Sequence, residues 1–115
     1  MKWPTYTKQE ISTVTSIIRS GKVNYWTGKE VKIFEKEFSK YIGSKYSVAV
    51  CNASLALEAS LNALNIGKGD EVITTPRSYN SSATCILRVG ATPIFADVDI
   101  KTQNISVDEI KKKIS

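Results

Sequence analysis

A chain of 115 residues, 42% hydrophobic and 23% charged, suits one globular domain of ordinary size and excludes a disordered polymer. It contains no histidine, which removes Ser-His-Asp and Cys-His catalysis and most zinc sites from this chain. The net charge of +5 is carried by dispersed lysines, with Lys111-Lys112-Lys113 the only dense run, so no basic face for nucleic acid is expected.

No apolar stretch approaches a bilayer span and no signal-peptide pattern opens the chain, so no membrane partner and a cytoplasmic location are expected. Cys51 and Cys85 sit in apolar segments without CxxC spacing and read as reduced core thiols.

In chain order, Thr7-Lys8-Gln9-Glu10 has the form of a capping box. Ile11, Val14, Ile17 and Ile18 follow at helical spacing, and Gly21 supplies a stop. Residues 22–28 read as a loop with the adjacent aromatics Tyr25 and Trp26. A second helix places Val31, Phe34, Phe38, Tyr41 and Ile42 on one face and ends at Gly43. These helices and the aromatic loop form a first region, residues 1–45.

From residue 46 the pattern changes. Ser47 to Cys51 reads as a short strand, and Ser54 to Leu64 as a helix with Leu57, Leu61 and Leu64 inward. A second strand covers 71–75 and ends at Pro76. A helix over 80–89 is closed by Gly90, and a third strand runs from Thr92 to Val98. Ser106-Val107-Asp108-Glu109 opens a last helix through another capping box. Strands alternating with helices predict an α/β fold, a βαβαβ unit with parallel strands over 46–115. No strand follows the last helix, so the sequence reads as part of a longer protein, cut at its C-terminal end.

In open α/β sheets ligands sit beyond the carboxyl ends of strands. Asn52-Ala53-Ser54 occupies such a place: the helix N–H groups, the small Ala53 and the Ser54 hydroxyl suit an approaching phosphate. The other reading is that Ser54 simply caps its helix, and spacing alone favours the cap. After the second strand, Tyr79 can stack on a planar ligand, or it packs on the core while Ser78 caps the next helix. Asp97 and Asp99 could hold a metal or act as acid and base; Asp99 reads rather as a turn former, and no metal site is expected. Tyr25 and Trp26 either touch a ligand or pin their loop, and packing is the safer reading.

Taken in order, Asn24-Tyr25-Trp26-Thr27-Gly28, Phe34-Glu35, Asn52-Ala53-Ser54-Leu55-Ala56-Leu57, Gly67-Lys68-Gly69-Asp70-Glu71-Val72-Ile73, Pro76-Arg77-Ser78-Tyr79 and Gly90 to Asp99 resemble the DegT/DnrJ/EryC1/StrS family of sugar aminotransferases. The resemblance covers nearly the whole chain. It implies the N-terminal part of the large domain of the aspartate-aminotransferase architecture (PLP fold type I), a mostly parallel sheet with flanking helices.

It also implies the cofactor pyridoxal 5'-phosphate (PLP). The family's phosphate-binding motif appears here with Ala53 in place of glycine and Ser54 in place of threonine, which keeps the hydroxyl. Asn52, Ala53, Ser54 and Tyr79 are thereby expected at the cofactor, the ring of Tyr79 against the pyridine face. Tyr25, Trp26 and Thr27 are expected near a sugar-nucleotide substrate and a partner subunit of a homodimer. The implied reaction moves an amino group, from glutamate, to a nucleotide-linked keto-sugar for polysaccharide or glycan synthesis. The family's Schiff-base lysine has no matching position here, so no catalytic residue is assigned and the chain alone is expected to be inactive. A sugar dehydratase of the same fold, or a non-catalytic interaction domain, are the alternatives.

Overall fold

The computed structural model describes residues 3–114. They belong to two compact units, Met1–Ala49 and Val50–Ser115, a division just beyond the one expected after residue 45.

In the first unit, helix α1 spans Lys8–Ser20 and its capping box is complete. The Thr7 Oγ1 accepts from the Glu10 N–H at 3.2 Å, and the Thr7 N–H donates to the Glu10 carboxylate at 2.6 Å. The Thr7 N–H, together with the Thr7 hydroxyl at 2.7 Å, holds the Glu10 carboxyl below its usual range. Gly21 ends the helix at a φ of 69°, the left-handed turn that glycine adopts without a Cβ penalty. Helix α2 spans Glu30–Ile42. None of residues 3–49 is fully buried, so the apolar stripes of both helices remain largely open.

The connecting loop is wound around Asn24. Its Oδ1 accepts from the N–H groups of Trp26 and Thr27, both at 3.0 Å, and from the Thr27 hydroxyl at 3.1 Å. The chain then passes so close to itself at Gly28 that a Cβ there would lie 2.6 Å from the Lys22 carbonyl oxygen. Only glycine fits that approach.

The second unit is built on α3 (Ala53–Ala63), β1 (Glu71–Thr74), α4 (Ser81–Arg88), β2 (Thr92–Phe95) and α5 (Val107–Lys111). β1 and β2 pair in parallel, Glu71 opposite Thr92 through Thr74 opposite Phe95, with α4 as the crossover. Thr92 and Ala96 donate their N–H groups to Asp70 and Thr74. Pro93 lies between these donors, so its nitrogen faces away from β1, where a missing N–H costs no ladder bond. Cys85, Ile86 and Ala91 form the core, with Leu61, Ile66, Val72 and Val89 packed against it.

Four expectations are corrected. Residues 47–51 run without a ladder partner and form no strand: a strand is defined by its neighbour, and among the described residues none pairs with this segment. The third strand stops at Phe95, and Val98 instead bridges Ile105 in an antiparallel pair. Of Leu57, Leu61 and Leu64, only Leu61 reaches the core, while Leu64 is 70% exposed. The last helix has half a capping box: the Ser106 Oγ accepts from the Glu109 N–H, but the Glu109 carboxylate pairs with Lys112 at 2.6 Å instead of reaching back. That pairing raises the Lys112 pKa.

Candidate functional site

The cap of α3 decides what its N-terminus can do. Asn52 has an extended backbone, and its Oδ1 accepts from the Leu55 N–H at 2.9 Å. Asn52 is therefore the N-cap, and the expectation that Ser54 fills that role is corrected. Asparagine caps well because its short side chain reaches the first-turn donors. The Ala56 N–H is taken by the Asn52 carbonyl at 3.2 Å, as the regular helix requires. Among the described residues, the N–H groups of Ala53 and Ser54 and the Ser54 hydroxyl have no protein acceptor. Three donors thus stand at the positive end of the α3 dipole.

These donors open on a cavity of about 560 Å3 within the second unit. That size falls in the ~300–1,000 Å3 range of small-molecule sites. Asn52, Ala53 and Ser54 line one side, and Tyr79, from the segment after β1, lines it too. Tyr79 is 75% exposed, so the reading in which its ring packs on the core is corrected. Ser78 does not cap α4; its hydroxyl lies 2.8 Å from that of Ser82. The residue before α4 is Asn80, which makes no side-chain cap either.

The cavity also takes in residues that motif reading passed over: Cys51, Glu58, Ser81 and Arg88. Cys51 is exposed rather than a core thiol, because the segment that carries it lies against no strand; Cys85 is buried as expected. Glu58 stands one helical turn after Ser54, a spacing that marks the same face of α3. Its carboxylate is 3.7 Å from the Arg88 guanidinium, which matches its charge. Among the described residues, no lysine lines the cavity.

The remaining candidates lie elsewhere. Asp99 turns its loop: its Oδ1 accepts from the N–H groups of Lys101 and Thr102 at 3.0 and 2.8 Å, and those donors lower its pKa. The Asp97 Oδ1 accepts from the Val98 N–H. In the first unit, the Tyr25 hydroxyl donates to Glu35 at 3.4 Å and the Lys32 ammonium lies 5.2 Å from its ring centroid. Trp26 meets Tyr25 edge-on and is 85% exposed. The Thr27 hydroxyl proton is spent on Asn24, which leaves that oxygen to accept only.

The donor set at the start of α3 fits a phosphate group: two backbone N–H groups and a hydroxyl at a helix N-terminus offer hydrogen bonds without bringing a negative charge. An exposed aromatic ring in the same cavity offers a flat surface to the rest of a ligand.

Residues 4–115 match the model of the DegT/DnrJ/EryC1/StrS aminotransferase family. The spore coat polysaccharide biosynthesis protein SpsC of Bacillus subtilis (strain 168) is 42% identical over 112 residues, 97% of this chain and 28% of SpsC. Among solved structures, an aminotransferase from Psychrobacter cryohalolentis superposes with a TM-score of 0.95 at 44% identity, over 100% of this chain and 29% of that one. Spr1654 of Streptococcus pneumoniae, solved in PLP and PMP forms, gives 0.90 at 35% identity, over 97% of this chain and 28% of the other. The chain therefore spans about 28% of the length of SpsC. These likenesses bear out the expected fold, the N-terminal part of the PLP fold type I architecture.

Proposed function

The chain belongs to the DegT/DnrJ/EryC1/StrS aminotransferase family, and from that membership we propose that it supplies the cofactor-phosphate seat of a PLP-dependent sugar aminotransferase. The observation that carries this reading is the set of unpaired donors at Ala53 and Ser54, opening on a cavity that Tyr79 also lines.

The proposed activity is transfer of an amino group, from glutamate, to a nucleotide-linked keto-sugar on the way to surface polysaccharide, by a homodimer. PLP, when bound, supplies the electron sink that lets an amino group leave one carbon and join another. The residues of this chain do the holding. Ala53 and Ser54 donate to the phosphate through their N–H groups, and the Ser54 hydroxyl adds a third donor. Asn52 keeps the helix start in place, so those donors are oriented before the ligand arrives and little ordering is needed on binding. Tyr79 limits the tilt of the pyridine ring. The lysine that holds the aldehyde in this family has no counterpart in the cavity, so no catalytic residue is assigned to this chain.

Tyr25, Trp26 and Thr27 are proposed to meet the sugar nucleotide. The exposed Trp26 ring supports this, since a base or sugar face can stack on it. Thr27 would accept from a sugar hydroxyl, its own proton being engaged with Asn24.

Pyridoxamine 5'-phosphate (PMP) is the suitable probe because it has no aldehyde to react with the surface lysines. Titrated with the chain, its fluorescence should change saturably and be restored by inorganic phosphate. Ser54→Ala should weaken binding about tenfold, the loss expected for one hydrogen bond to a charged group. Tyr79→Ala should weaken PMP without altering phosphate binding. Absence of saturable binding, or affinity unchanged in both variants, sinks the proposal.

A further inference from the structure

Ser81 is a buried polar side chain, 7% exposed, at the first position of α4. Among the described residues, nothing in the protein hydrogen-bonds its hydroxyl. No side-chain oxygen or nitrogen of the described residues that is sealed from solvent goes unpaired. The Ser81 Oγ is therefore open to solvent, and Ser81 is one of the residues that line the cavity. A serine this buried ordinarily spends its proton on a neighbouring carbonyl; here the proton is left for water or a ligand.

The backbone around it shows the same deficit. The N–H groups of Ser82 and Ala83 are taken by the carbonyls of Tyr79 and Asn80, at 3.0 and 3.1 Å. No protein acceptor meets the Ser81 N–H among the described residues, as is usual for the first N–H of a helix. One cavity is thus bounded by two helix starts, α3 at Ala53 and Ser54 and α4 at Ser81. α3 brings two unpaired N–H groups and a free hydroxyl, α4 one unpaired N–H and a free hydroxyl, and each brings the positive end of a dipole. The carboxylate of the cavity, Glu58, is matched by Arg88 at 3.7 Å, so it does not cancel this donor field.

We propose that Ser81 is a second anchor for the phosphate, its hydroxyl and N–H donating from α4 across the cavity from the Ser54 donors on α3. The inference rests on the cofactor reading for the identity of the phosphate ester, but the anion contact stands on the two helix starts. A phosphate ester carries three strong acceptor oxygens and can meet donors from two sides at once. Clamping from both sides fixes the rotation of the group about its ester bond, and hence the place of whatever the ester carries.

The test is an amide NMR titration of the whole chain with inorganic phosphate, alongside PMP fluorescence. The Ser54 and Ser81 amide signals should shift together with one common dissociation constant. Ser81→Ala and the near-isosteric Ser81→Cys should each weaken both phosphate and PMP about tenfold, with far-ultraviolet circular dichroism unchanged. Two different constants for Ser54 and Ser81 would overturn the inference. So would Ser81 variants that bind both probes as the wild type does, even if Ser54→Ala loses them, an outcome that leaves the cofactor reading standing. Phosphate binding that depends on Ser81, with no gain from the pyridoxamine moiety, keeps the anchor and removes the cofactor reading. A wild-type chain that binds neither probe removes both.

Discussion

Asn52 and Ser54 lie two residues apart and divide two tasks that one serine is often asked to do. Asn52 caps α3 and Ser54 keeps its hydroxyl free. Stability and ligand binding should therefore separate on mutation. Asn52→Ala should lower the unfolding free energy by about 1 kcal/mol, the usual worth of an N-cap. Ser54→Ala should leave it within about 0.5 kcal/mol, as for other substitutions that break no internal contact. Denaturant titration of the two variants measures this, and equal losses would contradict the division. The ordering was not legible in sequence because Asn52 and Ser54 are both good capping residues beside the same apolar run. Only the backbone conformation at Asn52 decides between them. Ser81 was hidden for a different reason: serine at a helix start looks solvent-exposed, and nothing local in the sequence marks this one as 7% exposed.

At the level of elements, the first capping box and the glycine stops were legible, while the cap of α3, the second capping box and the absence of strand pairing at 47–51 were not. The capping box at Thr7 and the stop at Gly21 are written within a few residues, and both stand as expected. The loop's dependence on Gly28 was visible only as a glycine after aromatics; the close pass to Lys22 needed coordinates. The segment 47–51 has the composition of a strand, yet a strand also needs a neighbour, which composition does not supply. The β1–α4–β2 unit carries the packing. Ile86, 2% exposed, is the central side chain of its core. Ile86→Ala should cost about 2–5 kcal/mol through lost burial and the cavity left behind. Thermal or chemical unfolding of the variant measures that cost, and a loss below about 1 kcal/mol would show that this core does not set stability.

For the molecule as a whole, burial is unevenly shared. Described residues 3–49 contain no fully buried residue, while the second unit holds Cys85, Ile86, Ala91 and Ala96 at or below 4% exposure. Opening free energy follows buried apolar contact. Hydrogen exchange should accordingly find the slowest amides in β1, β2 and α4, and amides of α1 and α2 exchanging through low-cost local opening. Equal protection in the two units would refute this. Many large apolar side chains remain open to solvent, among them Val48, Leu64 and Ile100, at 70% exposure or more. That pattern accords with a chain matching about 28% of the length of SpsC. Family and fold were legible from ordered short motifs; the cavity that α3 and α4 build together was not, since no motif spans it.

The parallel pairing of Glu71 with Thr92 has a consequence for the order of events in folding. Parallel strands usually wait for distant chain to arrive, because their partners are joined by long excursions. Here the excursion is a single short helix, so the entropy lost on closing it is small. The core residues around Ile86, from Leu61 to Ala91, all fall within one stretch of chain, residues 61–96. The pairing would then offer a finished edge on which further strands could be laid down, a nucleus made early in synthesis.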